Sequence, residues 1–217
     1  GVQANRTLAY LRRFFNWCIQ RDYVSENPTS GIERPYRERP RDRVLTIEEI
    51  SRVVAGCRQM GYPFGPLFEM LLLTGQRKGE VSGAKWSEVD LNDRTWTIPS
   101  ERSKNKHPHV VHLSQATLDL LWRLPKFQDQ DLLFSTKGDR PVSGFSKAKK
   151  RVDALSAVND WGLHDLRRSF ATHLTQELGV SPVVADKILN HQSGAVTGIA
   201  AVYQRGQYLA ERRVALE

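Results

Sequence analysis

The sequence has little cysteine: two residues in 217, Cys18 and Cys57. Two thiols cannot build a disulfide framework, and neither stands in a metal-ligand spacing, so both are expected to be reduced in a soluble, cytoplasmic protein. Long apolar runs are also missing. The longest cluster, Met70-Leu71-Leu72-Leu73, falls far short of the roughly 18 apolar residues a membrane-spanning helix needs, so no membrane partner is expected. Arg6, Arg12 and Arg13 interrupt the apolar residues near the start, which is not the pattern of a secretory signal. The phosphate and acyl motifs G-x-x-x-x-G-K-[ST], G-x-G-x-x-G, H-E-x-x-H and G-x-S-x-G do not occur. There are no internal repeats and no low-complexity tract. The first residue is Gly rather than Met, read as the start of a fragment or of a processed chain.

What the chain does have is basic charge. Lys plus Arg number 32 against 24 Asp plus Glu, a formal net charge of +8, which makes a polyanion the first partner to consider. Hydrophobic residues at 40% are enough for a folded core, so wholesale disorder is not expected.

Periodicity divides the chain. Ala4, Leu8, Leu11, Phe15, Cys18 and Ile19 recur at steps of three and four, predicting an amphipathic helix over 2–22. A lone helix cannot bury its own stripe, and few partners precede Pro28, so further helices upstream are expected. Residues 34–43 hold five Arg, two acids and two Pro with no apolar period, and read as an extended linker. We therefore expect a helical remnant over 1–33, a linker over 34–44 and a second domain over 45–217. That domain opens on a capping box, Thr46 to Glu49, followed by helices over 67–73 and 77–84. Short β-type runs follow at 86–89, 95–98 and 109–112, with 100–108 as a polar hairpin tip. Helical patterns return at 115–123, 145–155, 164–178, 182–190 and 207–215, and Ser181-Pro182 is a suitable helix start. The expected class is mainly α with a small antiparallel β-sheet, α+β.

Four clusters could carry chemistry. In Leu163-His164-Asp165-Leu166-Arg167-Arg168, His164 and Arg167 share a helical face near a helix start, where free N–H groups favour an anion. In Thr74-Gly75-Gln76-Arg77-Lys78-Gly79-Glu80, Arg77 has its own carboxylate at i+3 and is preorganised for bidentate contact with phosphate. Lys104 and Lys106 sit on the basic hairpin tip. Asn190-His191 and the later Tyr203 and Tyr208 complete the set. Taken singly, each also fits a bland reading: a solvated basic face, a surface ion pair, a solubilising loop, a packed aromatic. His107, His109 and His112 invite a metal reading, but no carboxylate or Cys completes a ligand set beside them.

Order and spacing are more specific than any single cluster. Arg in T-G-x-R-x-G-E, a hairpin Lys, H-x-L-R, a downstream His and a late Tyr together resemble the tyrosine recombinases, and the wording around the motifs is most similar to prophage integrases. The resemblance implies a tyrosine-recombinase catalytic domain over 45–217, preceded by the tail of a helical core-binding domain. By its terms Arg77 and Arg167 clamp the scissile phosphate, and Lys104 protonates the leaving 5′ oxygen, with Lys106 the alternative while the hairpin register is open. His164 assists proton transfer, His191 donates to a non-bridging oxygen, Glu80 orients the cluster, and Tyr203 is the nucleophile. The His191–Tyr203 interval of 12 is slightly long for the family, with Gly194 and Gly198 marking an inserted turn, and Tyr208 fits less well. Arg37, Arg39, Arg41, Arg43 and Lys106 are expected to follow the DNA backbone. The implied partner is double-stranded DNA at attachment sites, bound by a homotetramer when full length, with a monomer open to this fragment. No cofactor and no metal are implied, and the expected setting is bacterial or phage-encoded. The alternatives are a type IB topoisomerase-like relaxase, a DNA-binding regulator that does not cleave, and a metal-dependent nuclease, which would need a carboxylate cluster.

Overall fold

Helix α1, Val2–Ile19, forms on the stripe read from the sequence, but only Asn5, Leu8 and Cys18 on it are buried. Tyr10, Leu11, Phe14 and Trp17 remain exposed, as expected of an amphipathic helix with few partners. The following segment folds back on α1 through polar contacts. Asn5 Nδ2 donates to Tyr36 O (2.6 Å) and Asn27 Nδ2 to Arg12 O (3.2 Å). A computed structural model of the chain describes residues 1–38, 41–128, 130–138, 140–191 and 207–217. The chain divides into two compact units, Gly1–Asp42 and Arg43–Glu217.

The second unit starts at Leu45, fully buried and fastened to a later helix at both backbone groups. Its N–H donates to Ser169 Oγ (2.9 Å) and its carbonyl meets His173 Nε2 (2.7 Å). Helix α2, Ile47–Met60, carries the expected capping box. Glu49 N donates to Thr46 Oγ1, and Thr46 N donates back to the Glu49 carboxylate. Helix α3, Phe64–Thr74, is apolar almost all round and lies at the centre, packed against α2, α5 and α7. It ends at Gly75, whose φ of +64° is the left-handed cap that glycine adopts at least cost. Helix α4, Lys78–Ser82, follows at once.

Three short strands come next: β1 Val89–Asp90, β2 Thr95–Ile98 and β3 His109–His112, antiparallel in the order β1-β2-β3. Trp96 opposes Val111 and Ile98 opposes His109, and these four side chains point into the core. One sequence expectation is corrected here. Residues 86–88 form a turn of 3₁₀ helix rather than strand, because Trp86 N and Ser87 N donate to the carbonyl and carboxylate of Asp131. Helices α5 Gln115–Trp122, α6 Phe145–Ser156, α7 Leu163–Gln176 and α8 Pro182–Ile188 complete the main body. Ser181 Oγ accepts from Val184 N at the start of α8, with Pro182 at the first helical position. A C-terminal helix, Leu209–Leu216, packs on α8, and its buried Arg212 donates to Val110 O on β3. The architecture is mainly helical with one small antiparallel sheet, as the periodicity predicted. No described helix is long and apolar enough to cross a membrane.

Candidate active site

The site is organised around the carbonyl end of α8. A helix leaves its last carbonyls without intrahelical partners, and here three successive ones, of Ile188, Leu189 and Asn190, accept from side chains on other elements. Gln76 Nε2 (2.9 Å) and His109 Nε2 (3.0 Å) donate to Ile188 O. Arg167 donates to Leu189 O, and its second nitrogen to Gly75 O (2.6 Å). Arg77 (3.1 Å) and Asn105 Nδ2 (2.6 Å) donate to Asn190 O. The two motif arginines, 90 positions apart in the chain, are thereby held on adjacent carbonyls of one turn.

Each arginine is fixed by its local sequence. Arg77 caps α4, with its backbone N–H on one Glu80 oxygen (3.0 Å) and its guanidinium on the other (3.1 Å). Glu80 is buried and also accepts from the backbone N–H of Lys104 (3.4 Å), while its own carbonyl accepts from Arg102 (2.9 Å). One acid therefore ties the first motif to the hairpin. Arg167 is 4% exposed. Among the described residues it pairs with no carboxylate. Burial first, and then the nearby Arg77 cation, pull its pKa down to about 10, so it is still charged at neutral pH. The Asp165 of the motif acts on structure: it is buried, accepts from Gly162 N (2.8 Å) at the start of α7 and pairs with Arg168.

His164 stands exposed in the first turn of α7, and a cleft of about 410 Å³ opens between it and Arg77, Arg167, Lys78 and Lys149. His191 follows Asn190, with its Nδ1 on Asp186 Oδ1 (3.1 Å). Desolvation and then the charge of Arg167 lower both imidazole pKa values below the ordinary 6.5, so both rings are neutral at pH 7. Lys104 and Lys106 are exposed on the tip between β2 and β3, Lys106 in a left-handed conformation with φ +60°. Tyr203 and Arg39 lie outside the described residues. Of the linker arginines, Arg37 is exposed. Arg41 has a partner, and Arg43 is engaged by Glu49 and by the carbonyls of Val44 and Asp160.

A buried Arg167 and a half-buried Arg77, of which only Arg77 pairs with a carboxylate among the described residues, make a receptor for an anion. Among the described residues no three of His, Cys, Asp and Glu group closely enough to hold a metal ion. His109 and His112 point to opposite faces of β3, which separates the histidines weighed as ligands. Gln76, Asn105 and Asn190 carried no assigned role in the sequence motifs. Their signal was adjacency, since each neighbours a motif residue, but an amide beside an Arg, Lys or His has no distinctive spacing of its own.

The profile of the phage integrase family matches residues 43–205. The chain is 26% identical over 231 residues to prophage integrase IntZ of Escherichia coli K12, covering 99% of this chain and 54% of that protein. It is 25% identical to tyrosine recombinase XerC of Psychromonas ingrahamii, covering 88% and 67%. The chain thus spans about half the length of the prophage integrase it matches. Among solved structures, a lambda integrase tetramer bound to a Holliday junction superposes with a TM-score of 0.67 at 20% identity, covering 90% of this chain and 60% of that one. The integrase from mycobacterium phage Brujita gives 0.63 at 21% identity, covering 98% and 71%. The fold is shared with these structures, and the match across most of the sequence settles kinship: the chain belongs to the phage integrase family of tyrosine recombinases.

Proposed function

We propose that this chain carries the catalytic domain of a site-specific DNA recombinase, an integrase that cuts and rejoins strands through a 3′-phosphotyrosyl intermediate. In this reading residues 45–217 are that domain, 1–33 are the end of a core-binding domain and 34–44 link them. The observation that carries it is the placement of Arg77 and Arg167 on adjacent carbonyls of one turn, with Glu80 joining Arg77 to the Lys104 hairpin. A phosphodiester passing to a pentacoordinate state gains negative charge, and two fixed guanidiniums stabilise it without reorganising. Losing one such preorganised donor costs on the order of 10²–10³ in rate.

In the forward step the Tyr203 hydroxyl oxygen bonds to phosphorus as the bond from phosphorus to the 5′ oxygen breaks. The Lys104 ammonium gives its proton to that departing oxygen, and His164 helps remove the phenolic proton. A neutral His191 with its Nδ1–H on Asp186 presents Nε2 as an acceptor, so its donation to phosphate requires a proton taken up when the phosphate arrives. Rejoining reverses the step: a 5′ hydroxyl attacks the phosphotyrosine, which conserves the phosphodiester bond energy without ATP. The partner is duplex DNA at attachment sites, engaged by a tetramer of the whole protein. The lambda integrase tetramer on a Holliday junction supports that assembly by its shared fold. A prophage or genomic island in a bacterial cytoplasm is the matching setting.

The test uses a pool of nicked duplexes of randomised sequence, incubated with the chain in EDTA and resolved under denaturing conditions. The expected result is a covalent protein–DNA adduct that Tyr203→Phe abolishes. An adduct that persists in Tyr203→Phe, or none from the wild type, overturns the reading.

A further inference from the structure

The hairpin tip that carries Lys104 is held from both sides of the lysine by one residue of the α8 turn. Asn190 Nδ2 donates to Ser103 Oγ (3.1 Å), and Asn105 Nδ2 donates to Asn190 Oδ1 (3.1 Å) and Asn190 O (2.6 Å). Ser103 is buried, and Asn105 and Asn190 are half-buried, while Lys104 between them is exposed. Asn190 has φ +52°, a left-handed conformation that asparagine tolerates better than most residues and glycine adopts freely. Glycine would therefore satisfy the backbone of this turn. The amide adds a side chain that reaches across to the hairpin, while the next residue along the chain is His191.

We propose that Asn190, with Ser103 and Asn105, is a latch that positions Lys104 over the reacting phosphate and couples the hairpin to the His191 turn. The proposal rests on the recombinase reading for what Lys104 does, but the latch itself is a matter of geometry. A four-atom lysine stem on an unfastened tip would sample many positions, because both flanking backbone and stem are rotamer-rich. Fixing Ser103 and Asn105 removes the backbone part of that freedom and leaves only the stem. Asn190 and Asn105 touch no reacting atom in this arrangement, so they are positioning residues.

Two measurements separate the latch from a merely structural role. In the first, limited trypsin digestion reads docking of the tip without any DNA, since Arg102, Lys104 and Lys106 are all cleavage points. Asn190→Gly keeps the left-handed turn and removes two of the three bonds, so nicking within 102–106 should rise about tenfold. Asn105→Ala, a half-buried loop position outside the hydrophobic core, should raise it similarly. Nicking at the wild-type rate in both variants overturns the latch.

The second measurement uses a site recovered from the adduct pool, made with either oxygen or sulfur at the bridging 5′ position. A thiolate leaves without a proton, its conjugate acid titrating at about 8.5 for a cysteine-like thiol, so breaking the P–S bond needs no general acid. Asn190→Gly should slow adduct formation about tenfold on the oxygen substrate and stay within about twofold of wild type on sulfur, as Lys104→Ala should do more strongly. Equal slowing on both substrates, or none on either, overturns the positioning role. Lys104→Ala that sulfur does not rescue defeats the acid assignment and the latch's purpose with it. A wild type that forms no adduct on any substrate defeats the recombinase reading, while the trypsin arm still decides whether the tip is latched.

Discussion

His109 is a buried imidazole whose Nε2–H donates to Ile188 O, under the same turn that receives Arg77 and Arg167. Burial, and then the cations of Arg212, Arg167 and Arg77, push its pKa down to about 4 from an ordinary 6.5. The folded protein thus holds this ring neutral, and the unfolded chain takes up the proton first as pH falls. Its contribution is fully present above about pH 6.5 and is lost between pH 6.5 and 4, reaching about 3 kcal/mol at 1.36 kcal/mol per pKa unit. His109→Gln keeps a donor for Ile188 O and removes the titration. Urea unfolding at pH 7.5 and 4.5 should show a drop about 3 kcal/mol smaller in the variant than in wild type, and identical drops would sink the idea. The sequence alone showed three nearby histidines and offered a metal reading. It could not show that β3 turns His109 inward beneath two arginines contributed by residues 32 positions earlier and 58 later.

Among the elements, the turn from α3 into α4 has little tolerance for a side chain. Gly75 combines φ +64° with a close approach: a Cβ there would meet Phe170 Cδ1 at 2.5 Å and Leu189 Cδ2 at 2.9 Å. Its carbonyl also receives Arg167, so a shift would be felt in the site. Gly179 has almost the same angle, φ +65°, with nothing within 4 Å of a built Cβ. Gly179→Ala should cost only the left-handed strain, about 1–2 kcal/mol. Gly75→Ala adds overpacking of about 1–3 kcal/mol, and its melting temperature should fall clearly further, by about 2–4 °C for each extra kcal/mol. Equal losses would show that α7 yields freely. Helix ends of this kind were legible in the sequence, because caps are local: Thr46 with Glu49, Ser181 with Pro182 and Gly75 all stand where the chain predicted them. The failure at 86–88 has the opposite cause. Trp86 and Ser87 take their geometry from Asp131, more than forty residues on, and no local pattern announces that partner.

At the scale of the whole molecule, the net charge of +8 becomes a statement about which cations are available to a polyanion. The sequence treated the linker arginines alike, yet they differ in their surroundings. Arg43 is held by the Glu49 carboxylate and the carbonyls of Val44 and Asp160, and the Glu49 hydrogen bond raises its pKa. Its fork is already part of the start of α2. Arg37 is exposed, and its guanidinium can trade counterions for phosphate at little structural cost. For binding to a random-sequence duplex, each phosphate contact contributes about −0.9 to the slope of log affinity against log salt. Arg37→Gln should reduce the magnitude of that slope by about one and leave thermal stability unchanged. Arg43→Gln should leave the slope within error and lower stability instead, since it strands Glu49 beside the Thr46 cap. Fluorescence anisotropy from 50 to 300 mM salt, paired with thermal melts of the same variants, reads both effects. If Arg43→Gln lowers the slope as much as Arg37→Gln does, the arginine leaves Glu49 when DNA binds, and the division between structural and DNA-facing cations in this chain is wrong.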